Sequence, residues 1–216
     1  LLLGLKPDVV LLYGIGDAQT AVTDKLKELY IPYMYVGEYL EESPLGKAEW
    51  LVALAELTDS REKGIEIFRE IPKRYQVLKA LTESVEQRPT VMLNTPWNDS
   101  WVMPSTQSYM AQLVTDAGAD YIYKENTSNS STPIGLETAY KLIQKADYWI
   151  NVGMASTLDE LKTVNPKFVD AKAVREKTVY NNNLRTTPTG GNDYWESAVV
   201  PVSYTHLRAH ETRHDL

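Results

Sequence analysis

The feature that most constrains this chain is a repeated change of hydrophobic period, from short unbroken apolar runs to stretches where apolar residues return every three or four positions. The run 8–13 follows the breaker Lys6-Pro7 and is apolar through Val9, Val10, Leu11, Leu12 and Tyr13, as expected of a strand buried on both faces. Gly14-Ile15-Gly16 ends it. Residues 17–29 then place Ala18, Ala21, Val22, Leu26 and Leu29 at helical spacing, with Asp17 positioned as the cap. A second strand is predicted over 33–36. Strand, helix, strand in that order predicts a parallel pair with a right-handed crossover, because parallel strands cannot be joined by a tight turn.

The middle of the chain is helical. From Gly46, the positions Ala48, Leu51, Val52, Leu54 and Ala55 mark one helix. Asp59-Ser60-Arg61-Glu62 has the form of a capping box opening a second. The stripe Ile65, Phe68, Ile71, Tyr75, Leu78 and Leu81 carries that helix toward Glu86. Pro72 lies inside it and removes a backbone donor, which predicts a kink or a break into two helices. An interior proline costs about 3 kcal/mol, so packing must compensate if the helix is continuous. After Arg88-Pro89 the alternation resumes, with strands expected over 90–94, 120–123, 148–152 and 177–181 and helices over 105–117, 136–146 and 171–175. Thr157-Leu158-Asp159-Glu160 resembles another capping box. The fold class is therefore α/β: a first lobe over 1–58, a linker helix over 59–88 and a second lobe over 89–201.

Charge and composition narrow the function. The 22 basic residues stand against 29 acidic ones, a net charge of −7, which repels phosphate backbones and anionic lipid and argues against a nucleic-acid partner. No apolar run approaches the roughly 18 to 20 residues of a membrane-spanning helix, and Leu1-Leu2-Leu3-Gly4-Leu5 lacks the length and basic flank of a signal peptide. The absence of cysteine removes disulfides, thiolate metal sites and a cysteine nucleophile. Residues 202–212 resemble the translation of a transposon-end adapter from sequencing libraries, so 202–216 is expected to be a non-native tail. All three histidines, His206, His210 and His214, fall in it. Their spacing of four would otherwise suggest a metal site on one helix face.

Several strings carry a family resemblance. Leu5-Lys6-Pro7-Asp8-Val9-Val10, the helix start Ala48-Glu49-Trp50, the helical linker, and Ala173-Val174-Arg175-Glu176-Lys177-Thr178-Val179-Tyr180 resemble the cobalamin and iron-siderophore class of periplasmic binding proteins. The similarity covers essentially 1–201 and lies in order and spacing rather than in one motif. It implies two Rossmann-like lobes with parallel sheets, joined by a long rigid helix, holding a ligand in the cleft between them. The first strands and signal would precede Leu1, and a closing helix would follow residue 201. It also implies no resident cofactor, a cargo such as a ferric siderophore, cobalamin or haem, and an ABC permease with its ATPase as partners. A monomer at a periplasmic or lipid-anchored location completes that expectation.

Ligand-facing candidates follow from the rule that α/β sheets bind at the carboxyl ends of their strands. Trp97, Trp101 and Met103 in the loop 96–104 are such candidates, as are Tyr13 and Gly14 after the first strand. Aromatic faces suit a large flat macrocycle or a catecholate, although buried tryptophans serve equally as core. Arg185, in the polar loop 181–191, offers a bidentate fork to a carboxylate or phosphate, or makes an ordinary surface pair. Ser130, Ser131 and Thr132 border the same cleft or form an ordinary loop.

The resemblance further implies one permease-docking glutamate per lobe. Glu196, in Tyr194-Trp195-Glu196-Ser197, matches in the second lobe. In the first lobe the position falls on Gln19, a departure from the carboxylate, with Glu38, Glu41 and Glu42 as substitutes. Gly14-Ile15-Gly16 is only a partial dinucleotide fingerprint, since Gln19 occupies the third glycine position. No nucleophile elbow or P-loop is present, and 1–201 holds no His or Cys for acid/base or nucleophilic work. The expectation is a binder rather than an enzyme. The alternative is a glycosyltransferase-like or nitrogenase-like enzyme of the same two-lobe shape.

Overall fold

The structure is a computed structural model, and it describes residues 2–14 and 19–183. In chain order its elements are α1 (Leu2–Leu5), β1 (Val10–Tyr13), α2 (Gln19–Glu28), β2 (Tyr33–Val36), α3 (Pro44–Leu57), α4 (Arg61–Ala80), β3 (Thr90–Leu93), β4 (Pro96–Trp97), β5 (Ser100–Met103), α5 (Tyr109–Asp116), β6 (Asp120–Tyr121), β7 (Thr132–Gly135), α6 (Leu136–Ile143), β8 (Tyr148–Ile150), α7 (Leu158–Val164), α8 (Lys172–Glu176) and β9 (Val179–Tyr180). Two compact units divide at Glu41 and Glu42.

In the first unit β1 and β2 pair in parallel, Val10 opposite Tyr33 through Tyr13 opposite Val36, as the strand, helix, strand order predicted. The expectation that β1 is buried on both faces is corrected. Leu11 and Tyr13 are exposed while Val10 and Leu12 are half-buried, because a two-stranded sheet covers one face only. Leu26 of α2 is buried. Asp17, the expected cap of α2, lies outside the described residues.

The second unit opens with α3 against α4. Ser43 caps α3 in extended conformation, its Oγ accepting the Gly46 N–H at 2.8 Å, with Pro44 in the first turn where its missing donor is harmless. The capping box expected at 59–62 is not formed. Asp59 is left-handed (φ 52°), its N–H donates to Glu56 O at 3.3 Å, and the Ser60 N–H reaches back to Ala55 O at 2.8 Å. This is a Schellman closure of α3, so the segment finishes one helix as well as opening the next: α4 begins at Arg61 as expected, with Ser60 at its N-cap but no side-chain capping bond. The two helices approach closely where Gly64 faces Ala55: a Cβ at Gly64 would sit 2.5 Å from the Ala55 Cβ. Helix α4 runs unbroken through Pro72 for 20 residues. Ile71 and Tyr75, on either side of the proline, are buried, which offsets the lost backbone bond.

Beyond α4, the strands β6, β3, β8 and β9 lie side by side in that order, all parallel. The earliest strand sits between the next two, so the chain reverses direction across the sheet at β3 and β8. The stretch 96–104, expected as an open ligand loop, is instead a hairpin of β4 and β5 that pairs with β7 as a three-stranded antiparallel sheet. Strand periodicity then decides which side chains face inward. Trp101 and Met103 are 0% exposed while Val102 between them is exposed. Trp101 packs edge-on to Phe168 (5.3 Å between centroids) and tilts against Trp149 (5.5 Å), and its Nε1–H donates to Leu93 O at 2.8 Å. With Met92, Leu93, Ala139, Ile143, Leu161 and Val179 these residues form the core of the unit.

The Thr157 half of the capping box expected at 157–160 is present, Thr157 Oγ1 accepting the Glu160 N–H at 3.1 Å, while Glu160 Oε2 reaches one residue beyond the cap and accepts the Ser156 N–H at 2.7 Å. At the amino ends of the strands Asp147 ties three elements together. Its Oδ1 accepts from Lys172 Nζ at 2.6 Å, and its Oδ2 accepts the Thr90 N–H at 2.7 Å and the Thr90 hydroxyl at 2.8 Å. The Lys172 ammonium, then the Thr90 N–H, hold the Asp147 carboxyl down to about 2, below the ordinary 3.8. A carboxylate depressed in the folded state contributes stability above its unfolded pKa and loses it as pH falls through the folded value. Acid unfolding of the wild type is therefore expected to show a contribution of about 1 kcal/mol disappearing between roughly pH 4 and 2, after discounting for the partly exposed pair. Asp147→Asn should flatten that part of the stability curve measured by urea unfolding across pH.

Candidate functional site

In an open parallel sheet the reversal of strand order leaves a crevice at the carboxyl ends of the strands, and ligands gather there. In the second unit this place is the end of β3 and β8. Asn94 and Asn151, the residues that follow them, are both left-handed, with φ of 68° and 64°, a conformation asparagine tolerates better than other side chains. Asn151 Nδ2 donates to Asn94 Oδ1 at 2.7 Å, and Asn94 Nδ2 donates to Val102 O at 3.1 Å. Trp149 Nε1–H donates to Asn94 O at 2.6 Å.

The next loop is latched in the same way. Gly153 is left-handed (φ 70°), and a Cβ there would lie 3.3 Å from Thr95 Oγ1, so the loops after β3 and β8 touch at their roots. From the end of β9, Asn181 Nδ2 donates to Gly153 O (2.8 Å) and Ala155 O (2.9 Å), and Asn183 Nδ2 donates to Ala155 O at 3.1 Å. Carboxamides thus join the ends of three adjacent strands into one fixed edge. Two large apolar side chains stand out of it, Trp97 at 73% exposed and Met154 at 87% exposed. Elsewhere in the unit, a groove of about 530 Å³ opens between α3, α4 and α5 and is lined in part by Tyr75, Lys79, Gln112 and Asp116. Those four are bonded to one another: Asp116 accepts from the Tyr75 hydroxyl at 2.5 Å, Gln112 Nε2 at 2.8 Å and Lys79 Nζ at 2.9 Å.

The sequence-predicted residues separate accordingly. Trp97 stands exposed at the strand-end edge. Trp101 and Met103 do not face a ligand; both point into the core because the hairpin alternates its faces, and that expectation is corrected. In the first unit, Tyr13 at the end of β1 is 52% exposed, stacks on Tyr39 (5.5 Å, 20°) and donates its hydroxyl to Glu38 Oε1 at 2.6 Å. The Glu38 bond is the main reason the Tyr13 phenol is pushed above its usual range. Gly14 lies beside this pair, its Cβ position 3.3 Å from the Tyr39 hydroxyl. Ser130 and Ser131 are exposed, and Ser130 O accepts the Asn126 amide at 2.8 Å. Gln19 opens α2, while its side chain, with Arg185 and Glu196, lies outside the described residues. No group of three His, Cys, Asp or Glu side chains suited to a metal ion occurs among the described residues. Met154 and the asparagine latch were missed by sequence reasoning. The available signal was an asparagine at or next to the end of three predicted strands.

A family model described as periplasmic binding protein matches residues 1–183. The chain belongs to this family. Two uncharacterized lipoproteins of Methanocaldococcus jannaschii are similar to it. One is 27% identical over 199 residues, 91% of this chain and 45% of the relative. The other is 26% identical over 189 residues, 83% of this chain and 47% of the relative. The chain spans about half the length of the curated relatives it matches. Among solved structures, the periplasmic heme-binding protein of Vibrio cholerae superposes with a TM-score of 0.68 at 14% identity, over 98% of this chain and 78% of that one. The vitamin B12 binding protein of the same organism gives 0.59 at 14% identity, over 98% and 78%. At that identity the likeness is one of fold, and it agrees with the α/β class and the parallel sheets of a periplasmic binding protein.

Proposed function

We propose that this protein is the substrate-binding component of an ABC importer and captures a metal-chelate ligand of the haem, cobalamin or ferric-siderophore kind. The observation that carries the reading is the strand-end edge of the second unit, where the asparagine latch holds a fixed surface with Trp97 exposed on it, in a chain of the periplasmic binding protein family. An indole exposed at a strand end offers its face to a conjugated ring, and stacking there adds to the apolar area buried. Arg185 is assigned to the same ligand, and Tyr13 and Gly14, at the strand end of the first unit, are kept as ligand-contact candidates of that unit. Support for the cargo class comes from structural neighbours that bind heme and vitamin B12.

The proposed lobes are 1–58, 59–88 and 89–201, with α4 as the linker, although the compact units divide earlier, at Glu41 and Glu42, which groups α3 with α4 in the second unit. Tyr75 and Lys79 of α4 are bonded to Asp116 of α5, so the linker helix moves with α5 as one body and any hinge lies elsewhere. Glu196 and Gln19 are assigned to permease docking, with the ATPase acting through the permease. The protein is read as a monomeric binder without a catalytic step, held in the cell envelope, as the lipoprotein relatives suggest. Turnover of a bound ligand by the purified protein would contradict that.

The test is intrinsic fluorescence of the full-length protein, without the 202–216 tail, titrated with haemin, cyanocobalamin and a panel of ferric siderophores. Saturable quenching by one of them is expected, with Trp97→Ala weakening it by about 2 kcal/mol, roughly thirtyfold in Kd. Silence across the panel with folded protein would overturn the cargo class.

A further inference from the structure

The polar run 126–132 has no part in the strand-end edge, and it holds a different chemical signal. Asparagine followed two positions later by serine or threonine, with any residue but proline between, is the acceptor pattern for N-linked sugar. The sequence carries it three times, at Asn98-Asp99-Ser100, Asn126-Thr127-Ser128 and Asn129-Ser130-Ser131. Transfer requires that a transferase reach both the carboxamide and the hydroxyl two residues on, and the fold treats the three tripeptides differently.

Asn126 is 6% exposed. Its Nδ2 donates to Ser130 O at 2.8 Å, and its Oδ1 accepts the Ser128 N–H at 3.2 Å and the Ser128 hydroxyl at 2.7 Å. Carboxamide and hydroxyl of that tripeptide are thus bonded to each other, and a sugar on Nδ2 would have to displace packed protein. Asn98 is exposed in the two-residue turn of the β4–β5 hairpin, but Ser100 is paired on both sides, with Trp97 of β4 and Gly135 of β7. A transferase could not draw it out without opening the sheet. Asn129 and Ser131 are both exposed. The loop beneath them is fixed, because the Ser105 hydroxyl donates to Ser128 O and the Thr106 N–H donates to Asn126 O at 2.8 Å.

Strand register also sets where each sugar would lie. Thr132, next after the third tripeptide, is opposite Met103, whereas Gly135 at the other end of β7 is opposite Ser100, beside the Asn98 turn. Three residue steps of strand, about 10 Å, separate those two ends. A sugar at Asn98 would stand next to Trp97 and cover the candidate ligand edge, while one at Asn129 starts from the far end of the sheet.

Resting on the cell-envelope location proposed above, we propose that Asn129 is an N-glycosylation site whose sugar donor is a polyprenyl-phosphate- or polyprenyl-diphosphate-linked oligosaccharide. Asn129 Nδ2 attacks the anomeric carbon of the donor. The N–C bond forms as the bond from that carbon to the phosphate oxygen breaks, the lipid phosphate leaves, and the Nδ2 proton passes to a base of the transferase. Such a donor is held in the membrane, so the step is open only to a chain that meets the transferase in the cell envelope.

The experiment takes the full-length protein from its source cells and maps the tryptic peptide 125–141, which holds both Asn126 and Asn129, by electron-transfer mass spectrometry. A saccharide mass increment on Asn129, with none on Asn126 or Asn98, is the expected result. Ser131→Ala should lose the increment completely, and Ser131→Thr should keep it. A sugar on Asn126, on Asn98 or on a hydroxyl instead, or an increment that survives Ser131→Ala, overturns the inference. Unmodified protein recovered with the membranes would remove this inference and keep the envelope reading. Unmodified protein recovered in the cytosol would remove both.

Discussion

Trp101→Ala is expected to destabilise the second unit by about 4 kcal/mol and to leave much of it unfolded at physiological temperature. The side chain is fully buried between Trp149 and Phe168, so truncation opens a cavity that two other large rings must collapse into. It also leaves Leu93 O, at the end of the central strand β3, without its indole donor. Trp97→Ala, four residues earlier in the same hairpin, removes a side chain that stands mostly in water and should change stability by roughly 0.5 kcal/mol or less. Urea unfolding of the two variants side by side checks this. Comparable losses in both would mean that β5 does not bury its alternate face as described.

The second large effect is expected at Asp116, the buried carboxylate that joins α4 to α5. Asp116 is 6% exposed and accepts from Tyr75, Lys79 and Gln112, and its carbonyl accepts the Thr82 hydroxyl at 2.9 Å. Asp116→Ala strands the buried Tyr75 hydroxyl and removes the counter-charge of Lys79. The expected loss is about 3 kcal/mol, or roughly 6 to 12 °C in Tm for a chain of this size. Asp116→Asn keeps an acceptor for Tyr75 and should lose less. The burial of Tyr75, together with its bond to Asp116, raises the phenol well above its normal range, so Tyr75 stays a neutral donor throughout the accessible pH range. A thermal melt in which Asp116→Ala matches the wild type would contradict the description of this junction.

How far the sequence could be read depended on whether a local pattern had one structural meaning. The parallel pairs and most helices were legible, because 33–36, 90–93 and 148–150 are short apolar runs separated by helical stripes, and long-range context changes little about such segments. The segment 59–62 was read in part: the helix start at Arg61 was legible, but Asp59 and Ser60 close α3 through a left-handed turn instead of forming a capping box, and only the backbone path of α3 shows that. The hairpin 96–103 was misread for a different reason. Two prolines and a polar Asn98-Asp99 pair suggested a loop, while the alternation of Ser100, Trp101, Val102 and Met103 was the signature of a strand with one buried face. Of the site, Trp97 was found because exposed aromatics near strand ends are a chemical signal. Met154 was not, because a single methionine carries no signal until the asparagines of three distant strands are seen to fix its loop.

Hydrogen exchange of the full-length protein, with and without haemin or cyanocobalamin, bears most directly on the claim that the strand-end edge of the second unit holds the ligand. Slowed exchange at 94–98, 151–156 and 181–183, with the α4–α5 junction unchanged, is the predicted result. Slowing confined to the groove between α3, α4 and α5, or none at the three strand ends under conditions where a probe binds, would contradict it.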